Sequence, residues 1–212
     1  MTITLLVYVC FWCAMSMVLM RMFVPDVSRW VLVLTGAFLI SILGDYALRT
    51  RTSDVGFILG IAGYLAAHIG FQIYGWKFIT GKKKFSWIVL AIILIPFSIF
   101  YFVFLLPSDS LQKNIFLAIA VLIYLLVSCF TLAISIDIKS GRKPSWTWIY
   151  AIGILCLLAS DTLLALRHFV GHRTLNDLYM LPLFYTSYVF VAVSILIKHL
   201  PNFALINSKD QE

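Results

Sequence analysis

The sequence predicts an all-α protein, a polytopic bundle of about seven transmembrane helices. Of its 212 residues, 62% are hydrophobic and only 12% are charged, whereas about a quarter of the residues in a soluble domain are charged. Apolar stretches of about 20 residues, the length that crosses a bilayer, follow one another with short polar connections. We therefore expect an integral protein of the inner or plasma membrane, with one transmembrane domain over residues 1–200 and a polar C-terminal tail over residues 201–212.

Seven stretches qualify as spanning helices, at 2–23, 28–48, 54–77, 85–106, 111–136, 146–168 and 177–199. The first has no basic segment in front of it and no A-x-A-like cleavage site, so we interpret it as a retained helix rather than a signal peptide. All four cysteines fall within apolar stretches, and the CxxC spacing of the first two has no second ligand pair to complete a metal site. We expect the cysteines to pack as small apolar side chains.

Lys and Arg are concentrated in alternate connections, most densely at 82–84 and 139–143, and in the C-terminal tail. The positive-inside rule assigns these segments to the cytoplasm, which leaves the N-terminus outside and the C-terminus inside. Contact with phospholipid headgroups also accounts for the net charge of +7. We therefore expect membrane lipid, and not nucleic acid, as the partner of the basic residues.

Two carboxylates lie inside the apolar part of predicted spans, Asp45 in ISILGDYALR and Asp161 in LCLLASDTLLALR. The other acidic residues are expected at helix ends, in connecting loops or in the C-terminal tail. A carboxylate in hydrocarbon costs roughly 2.5–3.5 kcal/mol, so an intramembrane acid indicates a functional site. Both helices run outward, and each aspartate precedes an arginine at the outer end, Arg49 or Arg167. We expect the two carboxylates at similar depth, roughly one to two turns below the outer interface, and facing one cavity.

Each aspartate also has a structural interpretation. Asp45 can form a local i,i+4 pair with Arg49, whose side chain would extend to the interface. Asp161 can form a hydrogen bond to a neighbouring helix. In both helices a small residue comes directly before the aspartate, and leucine and then arginine follow it. This shared pattern is also compatible with an internal repeat.

The stretch 54–77 carries Tyr64, His68 and Gln72 at i, i+4 and i+8, which places them on one helix face. A structural hydrogen bond and a site role are both open for His68. Beside this polar stripe runs a stripe of small residues that favours close helix packing, formed by Gly56, Gly60, Gly63, Ala67 and Gly70.

Two further stretches carry polar side chains on one face. In 111–136 they are Tyr124, Ser128, Thr131 and Ser135, and in 177–199 they are Tyr185, Thr186, Ser187 and Tyr188, after Pro182. They can line a polar cavity, although Ser and Thr in membrane helices more often bond their own backbone.

At these motifs the chain resembles the YhhN-like lysoplasmalogenase family, polytopic proteins that cleave the vinyl ether bond of lysoplasmalogens. The resemblance rests on ILGDYALR (42–49), GIAGYLAAHIGFQIYGW (60–76), LLASDTLLALRHF (157–169) and, more weakly, FYTSYVFVAVSIL (184–196). Members of the family typically have eight helices. Seven are predicted here, with one helix fewer before the helix that contains Gly44 and Asp45.

The resemblance implies that Asp45 and Asp161 are the catalytic pair and that the substrate is a membrane lysophospholipid. Cleavage would give a fatty aldehyde and a glycerophospho-ethanolamine or -choline. Such a reaction needs one protonated and one ionised carboxyl, as in glycosidases, and neither a metal nor another cofactor. We expect substrate contacts from Tyr64, His68, Tyr185 and Tyr188, and phosphate contacts from Arg49 and Arg167.

A different class of function fits part of the same pattern. A small seven-helix transporter would use the aspartate pair for proton or cation coupling. A helix broken at mid-membrane, at Pro96 or at Pro182, would favour that function. A non-catalytic lipid-binding scaffold would leave the two intramembrane acids unexplained.

Overall fold

The computed structural model describes residues 3–23, 30–50, 54–79, 85–141, 145–171 and 173–209, and almost all of them are helical. In chain order the helices are α1 (Ile3–Phe23), α2 (Trp30–Thr50), α3 (Asp54–Ile79), α4 (Trp87–Phe100), α5 (Asp109–Lys113), α6 (Ile115–Gly141), α7 (Ser145–Ala165) and α8 (Arg173–Lys209). Helix α5 has five residues. The other seven correspond to the seven predicted stretches.

Six of these helices, α2, α3, α4, α6, α7 and α8, are long and apolar enough to cross a membrane. Helix α1 is apolar over Tyr8–Met22, the part of it whose side chains are described. The chain is thus a polytopic helical membrane protein, as its composition predicts.

The helix boundaries differ from the predicted ones in two places. The stretch predicted at 111–136 is divided, because Asn114 separates α5 from α6 and its side-chain oxygen accepts a hydrogen bond from the backbone N–H of Leu117 at 3.2 Å, as an N-cap does. Helix α8 continues to Lys209, so most of the predicted polar tail is helical.

Helices α4 and α7 each end in a π-helical turn, Tyr101–Leu105 and Leu166–Val170. Nothing in the sequence pattern predicts these turns. They contact each other at one end of the bundle. Wide turns of this kind occur frequently at functional sites.

A third acidic residue, Asp137, lies within the apolar part of α6, contrary to the expectation that only two acids would be found in spans. Helix α6 extends beyond its predicted end, which brings Asp137 inside the bundle, where it is 5% exposed. Its carboxylate accepts a hydrogen bond from the backbone N–H of Ser86 at 2.7 Å, directly before α4. Asp137 therefore fastens the start of α4 to α6.

The small-residue stripe of α3 is a packing surface, as predicted. A Cβ added at Gly63 would lie 2.8 Å from the Cα of Gly44, and a Cβ added at Gly70 would lie 2.8 Å from the Cβ of Ala37. Larger side chains would therefore push α2 away from α3. This close approach brings Asp45, which follows Gly44, against the polar stripe of α3.

Helices α2 and α7 end at the same end of the bundle. The His168 ring in the π turn after α7 stacks on Phe57 near the start of α3, with centroids 4.0 Å apart, and Phe169 packs edge-on against the same ring. The start of α3 also lies beside the end of α2, since a short connection joins them. Because Arg49 and Arg167 belong to this end, we call it the arginine end.

Candidate active site

The polar stripe of α3 contacts both of the carboxylates that the sequence singles out, Asp45 and Asp161. The Tyr64 hydroxyl donates a hydrogen bond to Asp45 Oδ1 at 3.3 Å, and His68 Nε2 lies 3.1 Å from Asp161 Oδ2. Tyr64 and His68 are four residues apart, so their side chains lie on adjacent turns of one helix face. Both aspartates are 8% exposed and turned away from lipid. The predicted pair thus comes from two helices, Asp45 from α2 and Asp161 from α7, and both side chains are bound by residues of α3.

Two buried tyrosines lie near both aspartates. Tyr64 on α3 and Tyr188 on α8 each interact electrostatically with Asp45 and with Asp161. The Tyr188 hydroxyl donates to Ser41 Oγ, one turn before Asp45 on α2. Helices α2, α3 and α8 are therefore joined by hydroxyl contacts at the level of the carboxylates.

The hydrogen bonds around Thr131 fix one proton of His68. The Thr131 hydroxyl donates to the carbonyl oxygen of Val127 at 2.8 Å, and its oxygen accepts from Gln72 Nε2 at 3.1 Å. His68 Nδ1 lies 3.2 Å from the same oxygen. Since the Thr131 proton is already donated, this network assigns the hydrogen of that contact to Nδ1, which is therefore the donor.

The opposite nitrogen of the ring faces Asp161. Ser128 Oγ lies 3.3 Å from His68 Nε2, but its hydroxyl donates to the carbonyl oxygen of Tyr124 at 2.9 Å. With Nδ1 protonated, an ionised Asp161 beside a bare Nε2 would oppose two lone pairs at 3.1 Å. A hydrogen consequently lies between Nε2 and Oδ2. The Tyr124 hydroxyl lies 3.2 Å from the same nitrogen and is a second polar partner at this point.

A cavity of about 40 Å³ lies next to Asp161, enough for a few water molecules. Its polar lining consists of Asp161, Thr162, Tyr124 and Ser128. The remaining lining is apolar and comes from α4, its π turn, α6 and α7. Asp45 is not among the residues that line this cavity, so the structure places the two carboxylates on one helix face but only Asp161 on this opening.

The other predicted site residues occupy different positions. Tyr185 is buried on α8 beside Phe184, with ring centroids 6.2 Å apart. Arg167 is exposed at the arginine end. Arg49 lies in the last turn of α2, but its side chain is outside the described residues, so the predicted Asp45–Arg49 pair is too.

Both interpretations of the polar face of α6 apply at once. The hydroxyl groups of Ser128 and Thr131 donate to backbone carbonyls one turn earlier in α6. Both side chains also contact His68. The Ser135 hydroxyl donates to the carbonyl oxygen of Leu132 on its own helix. The hydrogen bond from Asp161 to a neighbouring helix, its structural interpretation, is present as the contact with His68.

Sequence reasoning missed the α4 side of the cavity, formed by Phe97, Phe100 and Leu105. An apolar residue in an apolar helix gives the same signal whether it faces lipid, the core or a cavity. No pattern in α4 therefore separates these positions from their lipid-facing neighbours.

A sequence profile of the YhhN family matches residues 2–195, which include every residue of the site described above. No curated protein and no solved structure matches the chain.

Proposed function

Because the chain belongs to the YhhN family, we propose that it is a membrane hydrolase that cleaves the vinyl ether bond of a lysoplasmalogen. The products would be a fatty aldehyde and a glycerophospho-ethanolamine or -choline. The observation that carries the proposal is the pair of buried carboxylates, Asp45 and Asp161, held by Tyr64 and His68 on one face of α3. Carboxyl groups inside a membrane are costly and indicate a functional site.

Vinyl ether hydrolysis needs what such a pair can supply. The double bond takes a proton on the carbon β to the ether oxygen, which leaves an oxocarbenium ion at the α carbon. A nearby negative charge stabilises that cation, as in glycosidases. Water then adds to the α carbon, and the resulting hemiacetal separates into an aldehyde and an alcohol.

We assign the role of acid to Asp161. It borders the cavity, where a substrate carbon can approach, and it shares a proton with His68 Nε2. Asp45 accepts the Tyr64 hydroxyl hydrogen, as a carboxylate does. Asp45 is thus the carboxylate that stabilises the cation, and His68 is a positioning residue that acts through Asp161.

The proton transfers balance over one cycle. Asp161 gives its proton to the β carbon, and Asp45 takes one from the attacking water. Asp45 then returns this proton to the ether oxygen as the hemiacetal carbon–oxygen bond breaks, while Asp161 removes the proton of the new hydroxyl group. One water molecule is consumed, and both carboxyls recover their starting states.

The broken helix that would favour a transporter is not found in the described residues. Helix α4 continues through Pro96, and α8 continues through Pro182. The aspartates are bound to neighbouring side chains on α3 rather than to the unwound ends of half-helices, the usual ion site of such carriers.

The function is tested by incubating the purified, lipid-reconstituted protein with a lysoplasmalogen and assaying aldehyde release. We expect aldehyde and glycerophospho-alcohol in equal amounts. If no aldehyde forms but the vesicles show proton or cation flux, the protein is a transporter and the hydrolase proposal is wrong.

Replacing His68 by Asn is expected to lower kcat by about tenfold to a hundredfold with little change in KM, because it removes the partner that loads Asp161 with a proton. The matched control is Tyr150→Phe, which removes a buried hydrogen bond of the bundle, from the Tyr150 hydroxyl to the carbonyl oxygen of Phe71, that involves neither carboxylate. Steady-state kinetics of the two variants decides the role. Equal effects of both on kcat, or a His68→Asn change confined to KM, would contradict it.

A further inference from the structure

The cavity beside Asp161 is lined by buried residues at its base and by partly buried residues at its opening. Asp161 and Ser128 belong to the buried set, together with leucines of α6 and α7. The partly buried set is Phe97 and Phe100 on α4, Thr162 and Ala165 on α7, and Tyr124 on α6. All of these positions lie within membrane-spanning segments. The opening therefore faces the hydrocarbon of the bilayer and not water.

Helix α4 is the least buried of the spanning helices. At its start, the backbone N–H of Ser86 donates a hydrogen bond to Asp137 of α6. At its far end, the Tyr101 hydroxyl donates to the carbonyl oxygen of Ala118 of α6 at 2.8 Å. On the other side, the principal contact of α4 with the α7 segment is between their π turns. The side of α4 towards α7 is thus left open.

We propose that the gap between α4 and α7 is the entrance by which a single hydrocarbon chain of a lysolipid passes from the bilayer to Asp161. The chain would lie along Phe97, Phe100 and Leu105. This inference rests on the proposed function for the identity of the lipid, but entry and binding of the chain do not depend on its hydrolysis.

The size and chemistry of the gap indicate a single chain as the occupant. The cavity holds a few water molecules, and the partly buried rings of Phe97 and Phe100 form its apolar wall towards the bilayer. One aliphatic chain matches a narrow carbon-lined slot, whereas the two chains of a diacyl lipid exceed it.

The depth of Asp161 also fits a lysolipid. Arg167, exposed at the arginine end, follows Asp161 by six residues, which is roughly 9 Å along a helix. In a lysoplasmalogen the vinyl ether is separated from the phosphate by the glycerol backbone, a comparable length. A headgroup phosphate at the level of Arg167 therefore leaves the first chain carbons near Asp161.

The entrance is tested by photolabelling the lipid-reconstituted full-length protein with a saturated 1-O-alkyl lysophospholipid that carries a diazirine in its chain. This probe has no vinyl ether, so labelling does not require turnover. We expect label on Phe97, Phe100 and Thr162 in excess of that on Ile92 and Ile99, which face lipid on the same membrane span. Label confined to the lipid-facing residues would overturn the proposal.

A second experiment uses a substitution that blocks the proposed entrance. Ala165→Trp fills the opening and is expected to lower both photolabelling and aldehyde release by about tenfold or more, whereas Ile99→Trp, on the lipid-facing side of α4, should change neither. Lost labelling with intact folding supports the entrance even if no substrate is hydrolysed. Unchanged labelling and turnover in folded Ala165→Trp would show that the chain enters elsewhere, while the proposed hydrolase function would stand.

Discussion

Asp161→Asn is expected to abolish aldehyde release while the bundle remains folded, and Asp45→Asn is expected to do the same. Asparagine keeps the size of the side chain and accepts a hydrogen bond, but it supplies neither a carboxylic proton nor a negative charge. General acid catalysis alone contributes about 10²–10⁴ to a rate, so turnover should fall to the limit of detection. The asparagine amide can keep hydrogen bonds to Tyr64 or His68, so the bundle should remain folded.

The matched control is Asp109→Asn. Asp109 is an exposed carboxylate on α5, 3.9 Å from Lys113, and its replacement should leave both turnover and thermal unfolding unchanged. Thermal unfolding of each variant, measured in the same detergent, separates catalysis from stability. Turnover close to that of the wild type in either site variant would remove the catalytic role of that residue, and loss of folding would favour a structural one.

The saturated 1-O-alkyl analogue of the substrate is expected to bind but not to turn over. It has the same headgroup and chain, but no double bond to accept a proton and no route to a stabilised cation. It should therefore act as a competitive inhibitor, with an inhibition constant close to the KM of the vinyl ether. Alcohol release from this compound at a comparable rate would contradict protonation on carbon.

An ester lysophospholipid serves as the second comparison. The sequence shows no nucleophile-elbow motif for acyl transfer, so this lipid should also survive incubation. Rapid release of fatty acid would show that the two aspartates perform a different reaction.

The fold could be predicted from the sequence because its strongest signal is local. Each spanning helix is an apolar stretch of bilayer length, and each of the seven predicted stretches corresponds to a long helix. A helix boundary is harder to predict where one side chain decides it. Asn114 is such a case, since it lies between α5 and α6 and its side chain caps the start of α6.

The candidate site was only partly predictable. Asp45 and Asp161 are evident because a carboxylate in an apolar helix is costly, and the polar stripe of α3 follows from helical spacing. The partner of each was not predictable, since His68 and Asp161 are separated by 93 positions. Which nitrogen of His68 carries a proton depends on Thr131 of a third helix, which no local pattern contains.

Asp137 and the α4 wall show two further limits. Asp137 is a buried acid whose carboxylate accepts a hydrogen bond from the backbone N–H of Ser86, directly before α4. Because this contact is structural, burial of a carboxylate does not by itself identify a catalytic group. Phe97 and Phe100 have no feature in the sequence that distinguishes a cavity wall from a lipid-facing surface.

The most direct measurement of the proposed chemistry is the isotope content of the products. The reconstituted protein is incubated with a lysoplasmalogen in D₂O or in water enriched in oxygen-18, and the aldehyde is reduced at once to its alcohol to prevent exchange. Protonation by Asp161 predicts one deuterium on the carbon next to the former aldehyde carbon, and no oxygen-18 in the glycerol hydroxyl, because the glycerol carbon–oxygen bond stays intact. Oxygen-18 in the glycerol hydroxyl, or an aldehyde without deuterium, would contradict the mechanism.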